Sequence, residues 1–342
     1  MKNYIVSVLF LAASIVVLPA IPVYFSGDAA SGSENKETVS SAVLKEFVFE
    51  EEEAESNYTG KPYKVLDVST GQVIEVSERD YVIGAVCAEM PATFEPEALK
   101  AQAVAAHTYA ERQRLRERQK PTAELCGADF SNDTSKYQGY FTENQAKQFF
   151  GENFDMNYSK ISAAVDEVLP FILTYRDEPI ISAFHSMSSG KTESAENAWG
   201  AAVDYLVPVD SSSDKSAPRY LDEARYTKDV LKYQLETAFP GIQLGEDFKA
   251  WLSVTDVSDS GTVLTASAGN LTVSGNDIRL ALALRSSCFD VRYEGDEAVI
   301  TTRGYGHGVG MSQYGANSMA ADGKTWREIL EHYYPNSAVS EY

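Results

Sequence analysis

The stretch from Ile5 to Phe25, IVSVLFLAASIVVLPAIPVYF, is uncharged and mostly apolar. A helix needs about 20 such residues to cross ~30 Å of hydrocarbon, so this run is long enough to span a membrane. It leaves no strongly polar face for solvent, which argues against a helix packed on a globular core. Lys2 precedes it and acidic residues follow it, so the positive-inside rule holds the amino terminus in the cytoplasm and exports the rest. Pro19 and Pro22 interrupt the run near its end, as they would in a cleaved signal peptide, but no clear A-x-A site accompanies them. We therefore expect an uncleaved transmembrane anchor at 1–25, a single pass, and an extracytoplasmic carboxy-terminal part.

The formal net charge of −21 over 342 residues excludes a general nucleic-acid binder, which needs a surplus of Lys and Arg. Nine acidic and two basic residues between Ser26 and Tyr58 account for −7 of that charge. This segment is rich in Gly, Ser, Ala and Glu, and cannot bury enough apolar surface to offset its ordering entropy. We expect an acidic tether at 26–58, with Phe47, Val48 and Phe49 as its docking point, and a single exported domain at 59–342.

Within that domain VLDVSTGQVIEVS reads as a hairpin turning at Ser69, Thr70 and Gly71. Helices follow at Asp80–Glu89 and from Pro96 to about Glu117, the second rich in alanine. Further helical patterns cover Ala146–Phe150, Tyr158–Glu167, Thr227–Phe239, Ser274–Leu284 and the region from Ser312 onward. Between them lie short β-rich runs: PFILTY, PIISAFHS, AWLSVTDV, TVLTASAG, NLTVSG, FDVRYEG and AVITTRG. The expected fold class is α+β, one mixed catalytic domain, with a two-lobed division near Asp214 around a cleft as the alternative.

Three segments depart from simple packing patterns. YVIGAVCAEMP ends an apolar helix in Glu89 and breaks it at Pro91. A carboxylate at the negative end of a helix dipole is disfavoured, so in a dry site Glu89 should hold its proton to higher pH, as a general acid must. FHSMSSGKTE follows an apolar run and gathers hydroxyls, backbone N–H groups and His185 at one edge. GYGHGVGMSQYGA places Gly304, Gly306, Gly308 and Gly310 at every second position, where backbone can adopt positive φ or approach something closely. Neither phosphate-loop pattern occurs, and Tyr314 stands where a nucleophile elbow needs glycine. No HExxH is present and His107, His185, His307 and His332 are far apart, so neither metal nor other cofactor is expected. The three cysteines, Cys87, Cys126 and Cys288, allow one bridge or three thiols.

Taken together, AEMPATFEPEALKAQAVAAHTYA (88–110), AFHSMSSGKTESAENAWG (183–200), YLVPVDS (205–211) and GYGHGVGMSQYGA (304–316) resemble the stage II sporulation protein D family, which includes amidase enhancers. The resemblance implies a lytic transglycosylase acting on peptide-stripped glycan strands of peptidoglycan and leaving 1,6-anhydro-muramyl ends. It implies a peptide-stripping amidase as partner during engulfment of the forespore. Glu89 falls on the family's catalytic glutamate. Lys100, His185, Ser186, Ser188, Ser189, His307, Gln313 and Tyr314 fall on positions expected to line the glycan cleft. Two departures stand out. His107 replaces an arginine common in the family, and DTSKYQGY has Lys136 and Tyr137 where some members, with a cysteine such as Cys126, hold zinc through His and Cys. A non-catalytic peptidoglycan-binding enhancer of an amidase is the competing reading.

Overall fold

A computed structural model describes residues 60–342, so the expected anchor and tether lie outside the described residues. No helix among the described residues is long and apolar enough to cross a membrane. The chain folds as mixed α+β around two hydrophobic cores. The expected hairpin forms as β1 (Tyr63–Asp67) and β2 (Gln72–Val76), joined by antiparallel pairing, with β3 (Phe130–Ser131) parallel on the other side of β1.

Helix α1 (Glu78–Glu89) starts at Ser77, whose hydroxyl accepts the Asp80 N–H at 3.0 Å. It ends because Met90 turns extended ahead of Pro91. Helix α2 (Pro96–Gln119) begins with proline at its first position, which has no intrahelical N–H bond to lose. Its alanines 98, 101, 103, 105, 106 and 110 are all fully buried, so α2 is the central rod of the first core. Helix α3 (Glu143–Phe150) packs on α1 and on α4 (Phe154–Val168), and α4 lies along α2 with the sheet β4 (Phe171–Tyr175) and β5 (Glu178–Pro179).

PIISAFHS departs from the expected continuous strand. Only β5 and β6 (Phe184–His185) are regular, because the backbone between them bonds elsewhere: Ile181 N donates to the Tyr205 hydroxyl at 3.0 Å, and Ala183 O accepts from Met311 N at 3.0 Å and from the Tyr334 hydroxyl at 2.8 Å. A short helix α5 (Ala195–Trp199) then leads toward the second core.

That core is built from residues 226–300. It holds β7 (Leu221–Thr227), α6 (Lys228–Ala238), the meander β8 (Leu252–Val257), β9 (Val263–Ala268) and β10 (Leu271–Ser274), then α7 (Gly275–Ala281), β11 (Phe289–Glu294) and β12 (Glu297–Arg303). Strand β7 escapes the hydrophobic pattern because its exposed face is charged. Arg225 pairs with Glu223, Glu294 and Glu297 across three strands. The chain then returns to the first core through β13 (Met311–Ser312), which runs parallel to β6, followed by α8 (Gln313–Ala321), α9 (Trp326–Tyr333) and β14 (Ala338–Glu341) on β4. All three cysteines are free thiols.

One contact fixes the loop opposite α1. Phe141 N donates to Gly84 O at 3.0 Å, and a Cβ at Gly84 would stand 2.1 Å from Phe141 O. Gly84→Ala should therefore lift residues 138–141 off α1 and cost about 1–3 kcal/mol by overpacking. Urea unfolding of the variant measures this, and an unchanged midpoint would refute the tight seam.

Candidate functional site

Glu89 sits at the carboxyl end of α1, where three other segments converge on it. From the loop seated on α1, Gly139 gives its backbone N–H to the carboxylate. A Cβ at Gly139 would stand 3.6 Å from Glu89 Oε1, an ordinary contact distance, so the loop backbone lies directly against the carboxyl. From α8, Gln313 Nε2 donates to Glu89 O at 3.0 Å and to Gln102 Oε1 of α2 at 3.3 Å. Tyr314 lies edge-on to Phe94 with ring centroids 5.0 Å apart, and Asn317 accepts the Glu95 N–H at 2.7 Å. Helix α8 thus clamps the chain that leaves α1.

Glu89 keeps partial exposure, so a ligand can reach it. Enough protein surrounds the carboxyl for burial to push its pKa up to about 7, against the smaller opposing effect of the Gly139 hydrogen bond. The sequence predicted a raised value from position and dryness, and the dryness is the larger cause.

The second group gathers around β6 and β13. His185 is buried, its Nδ1 donating to Val309 O at 3.1 Å and its Nε2 without a partner among the described residues. Its ring lies 5.7 Å from that of half-buried His307, which lies 5.5 Å from Trp199. Val309 N donates to His307 Nδ1 at 3.1 Å, which assigns the proton of His307 to Nε2. Burial lowers the pKa of both histidines, and for His307 the neighbouring His185 adds to the effect. Both are neutral hydrogen-bonding groups near pH 7.

The four alternating glycines have φ of +76°, +115°, +81° and +71° for Gly304, Gly306, Gly308 and Gly310. What they approach is the protein itself. A Cβ at Gly310 would stand 2.0 Å from Ala183 O, and one at Gly304 would stand 2.7 Å from Met187 O. These glycines let the 304–310 segment lie against 183–188.

Asp214 holds that pairing together and was read from the sequence only as a boundary. Its fully buried carboxylate accepts Ser188 N at 2.7 Å, Ser188 Oγ at 2.6 Å, Ser211 Oγ at 2.9 Å and Ser312 Oγ at 2.8 Å. Ser188 and Gln313 are therefore engaged inside the protein, as is Ser189, whose hydroxyl donates to Ser260 O at 2.5 Å. Ser186 accepts the Tyr314 N–H at its carbonyl, 3.0 Å, and with Tyr314 and His307 keeps partial exposure. Lys100 pairs with Glu97 at 2.8 Å and Glu167 at 2.6 Å.

His107 stands on another side of α2, about 140° around the helix from Gln102. It is buried 3.7 Å from Glu111, within a network in which Glu111 also binds Tyr63, Arg114 and Tyr342. Its ring is therefore part of this internal network.

The model for a family described as stage II sporulation protein matches residues 67–175, which include α1, α2 and Gly139. A stage II sporulation protein D of Bacillus subtilis strain 168 is 35% identical over 100% of this chain and 96% of its own length. One from Bacillus amyloliquefaciens is 40% identical over 81% of this chain and 78% of its own. An amidase enhancer of Bacillus subtilis strain 168 is 26% identical over 76% of this chain and 40% of its own.

The raised Glu89 pKa has a stability consequence. Between its ordinary value of 4.5 and about 7, the folded protein holds a proton that the unfolded chain has released, so this group makes stability fall as pH rises through that window. Glu89→Gln removes the effect. The variant's melting temperature should exceed that of the unsubstituted protein at pH 8 and match it near pH 4, and an equal difference at both values would contradict the assigned environment.

Proposed function

The chain belongs to the stage II sporulation protein D family, and from that premise we propose that it is a lytic transglycosylase cutting peptide-stripped glycan strands of peptidoglycan. Glu89 carries this reading: it is a reachable carboxyl, with a pKa near neutrality, at the focus of segments from four parts of the chain. The protonated carboxyl donates to the glycosidic oxygen as the bond to C1 breaks. The muramyl residue's own C6 hydroxyl then attacks C1, and the Glu89 carboxylate takes the hydroxyl proton. The proton balance closes on one group, and a 1,6-anhydro ring replaces the broken bond. No water enters, so a second carboxylate to activate it is not required.

In this reading the strand lies across the exposed edges of Tyr314, Ser186 and His307, which offer hydrogen bonds to sugar hydroxyls. Gln313 holds the Glu89 main chain in place. Ile5–Phe25 anchors the protein in the membrane with the site outside, and a wall amidase that removes stem peptides supplies the substrate during engulfment. The likeness to an amidase enhancer favours one second reading, a wall-binding protein that stimulates such an amidase without cutting glycan itself.

Peptide-stripped strands incubated with the full chain should yield fragments one water lighter than hydrolysis products. Glu89→Gln should reduce that yield by ~10²–10⁴-fold, the usual contribution of a general acid. The rate should fall as pH rises above about 7 and Glu89 loses its proton. A folded Glu89→Gln variant with full yield would overturn the catalytic assignment. An unsubstituted chain that releases nothing alone but accelerates an amidase would establish the second reading instead.

A further inference from the structure

A cavity of ≈300 Å³ opens between the two cores, lined by the loop Ser189–Gly190–Lys191, the turn Asp259–Ser260–Gly261, Lys215, Cys288 and Arg303. Junctions between packed units are common positions for ligand clefts. The lining is polar and its charge is opposite to that of the molecule. Three cations and one carboxylate meet here in a chain of net charge −21. Arg303 is paired with Asp290. Lys191 and Lys215 have no ion-pair partner among the described residues.

Lys215 is held in place over the loop. A Cβ at Gly190 would stand 2.3 Å from Lys215 Cε and 3.2 Å from Nζ, so the lysine stem lies in the space that glycine leaves open. Lys215 directly follows Asp214, which binds Ser188 in the same loop through two hydrogen bonds. The hydroxyl of Ser189 on Ser260 O then ties this loop to the turn across the cavity. Both walls are therefore tied to each other, with the exposed Lys215 stem lying along the loop at their edge.

We infer that this cavity binds a carboxylate of the wall polymer, with Lys191 and Lys215 as its cationic partners. The inference rests on the proposed glycan substrate. A muramyl residue freed of its peptide exposes a lactyl carboxylate, and a stem peptide also carries free carboxylates. Both present the same chemistry, whereas a strand of N-acetylglucosamine alone presents none. Two charge-assisted bonds to a carboxylate at this open site give about tenfold in affinity.

The test uses the full chain in mild detergent, carrying Glu89→Gln so that strands stay intact. Peptide-free muramyl oligosaccharides should bind at least about tenfold more tightly than chitin oligosaccharides of equal length. Lys191→Gln with Lys215→Gln should abolish that difference and leave chitin binding unchanged, with melting temperature as the folding control. Gly190→Ala, which displaces Lys215, should shift affinity in the same direction. Binding of a free stem peptide that the two lysine substitutions remove would support the cavity and assign the carboxylate to the peptide. Equal affinity for charged and neutral oligosaccharides together with no lysine-dependent binding of the stem peptide, or a charge preference that survives both lysine substitutions, overturns the inference. Cleavage by the unsubstituted chain is measured separately, so a failed transglycosylase and a failed carboxylate site give different results.

Discussion

The buried carboxylate of Asp214 is the constraint on which the candidate site depends. A carboxylate removed from water is strongly unfavourable unless hydrogen bonds replace its hydration. Here the replacement comes from Ser188, Ser211 and Ser312, on three segments far apart in the chain. Ser312 is also the N-cap of α8, accepting the Gly315 N–H at 3.1 Å. The bond from Asp214 to Ser312 therefore sets where α8 begins, and Gln313, the next residue, sets the Glu89 main chain. Positioning of the Glu89 carboxyl is in this way inherited from the buried carboxyl of Asp214.

Much of this was legible in the sequence, and what was missed has physical reasons. The hairpin, α1 and α2 carried strong local signals: a Gly-containing turn, a proline break after Glu89 and a proline at the start of an alanine-rich helix. Glu89 could be singled out because its position conflicts with the helix dipole. Gly139 could not, since its role is to give an N–H and lack a Cβ, and neither property leaves a pattern along the chain. Asp214 lies among serines in SSSDKS and gave only a candidate lobe boundary in the sequence. Its partners, Ser188 and Ser312, are distant in sequence. The alternating glycines were rightly marked for close approach, but their neighbour is the protein's own 183–188 backbone.

His107 shows the same limit from the other direction. Within AVAAHTYA a histidine in place of arginine looks like a change in ligand contacts. In the fold it meets Glu111, which also holds the Arg114 guanidinium, and the Tyr342 ring near the carboxy terminus. A position within a motif can thus serve packing while its neighbours serve the site.

The chain order of the two cores has a consequence for how the protein is made. The second core is continuous in sequence from 226 to 300, whereas the first combines residues 63–206 with 309–334. During synthesis the second unit can close on local contacts as soon as it emerges. The first must wait, with the groove beside α2 unfilled, for α8 and α9. Gln313, Tyr314 and the serine that binds Asp214 all belong to this late segment. A truncated or still-emerging chain therefore carries Glu89 without the helix that positions its main chain, so the candidate site is assembled only when nearly the whole polypeptide is present.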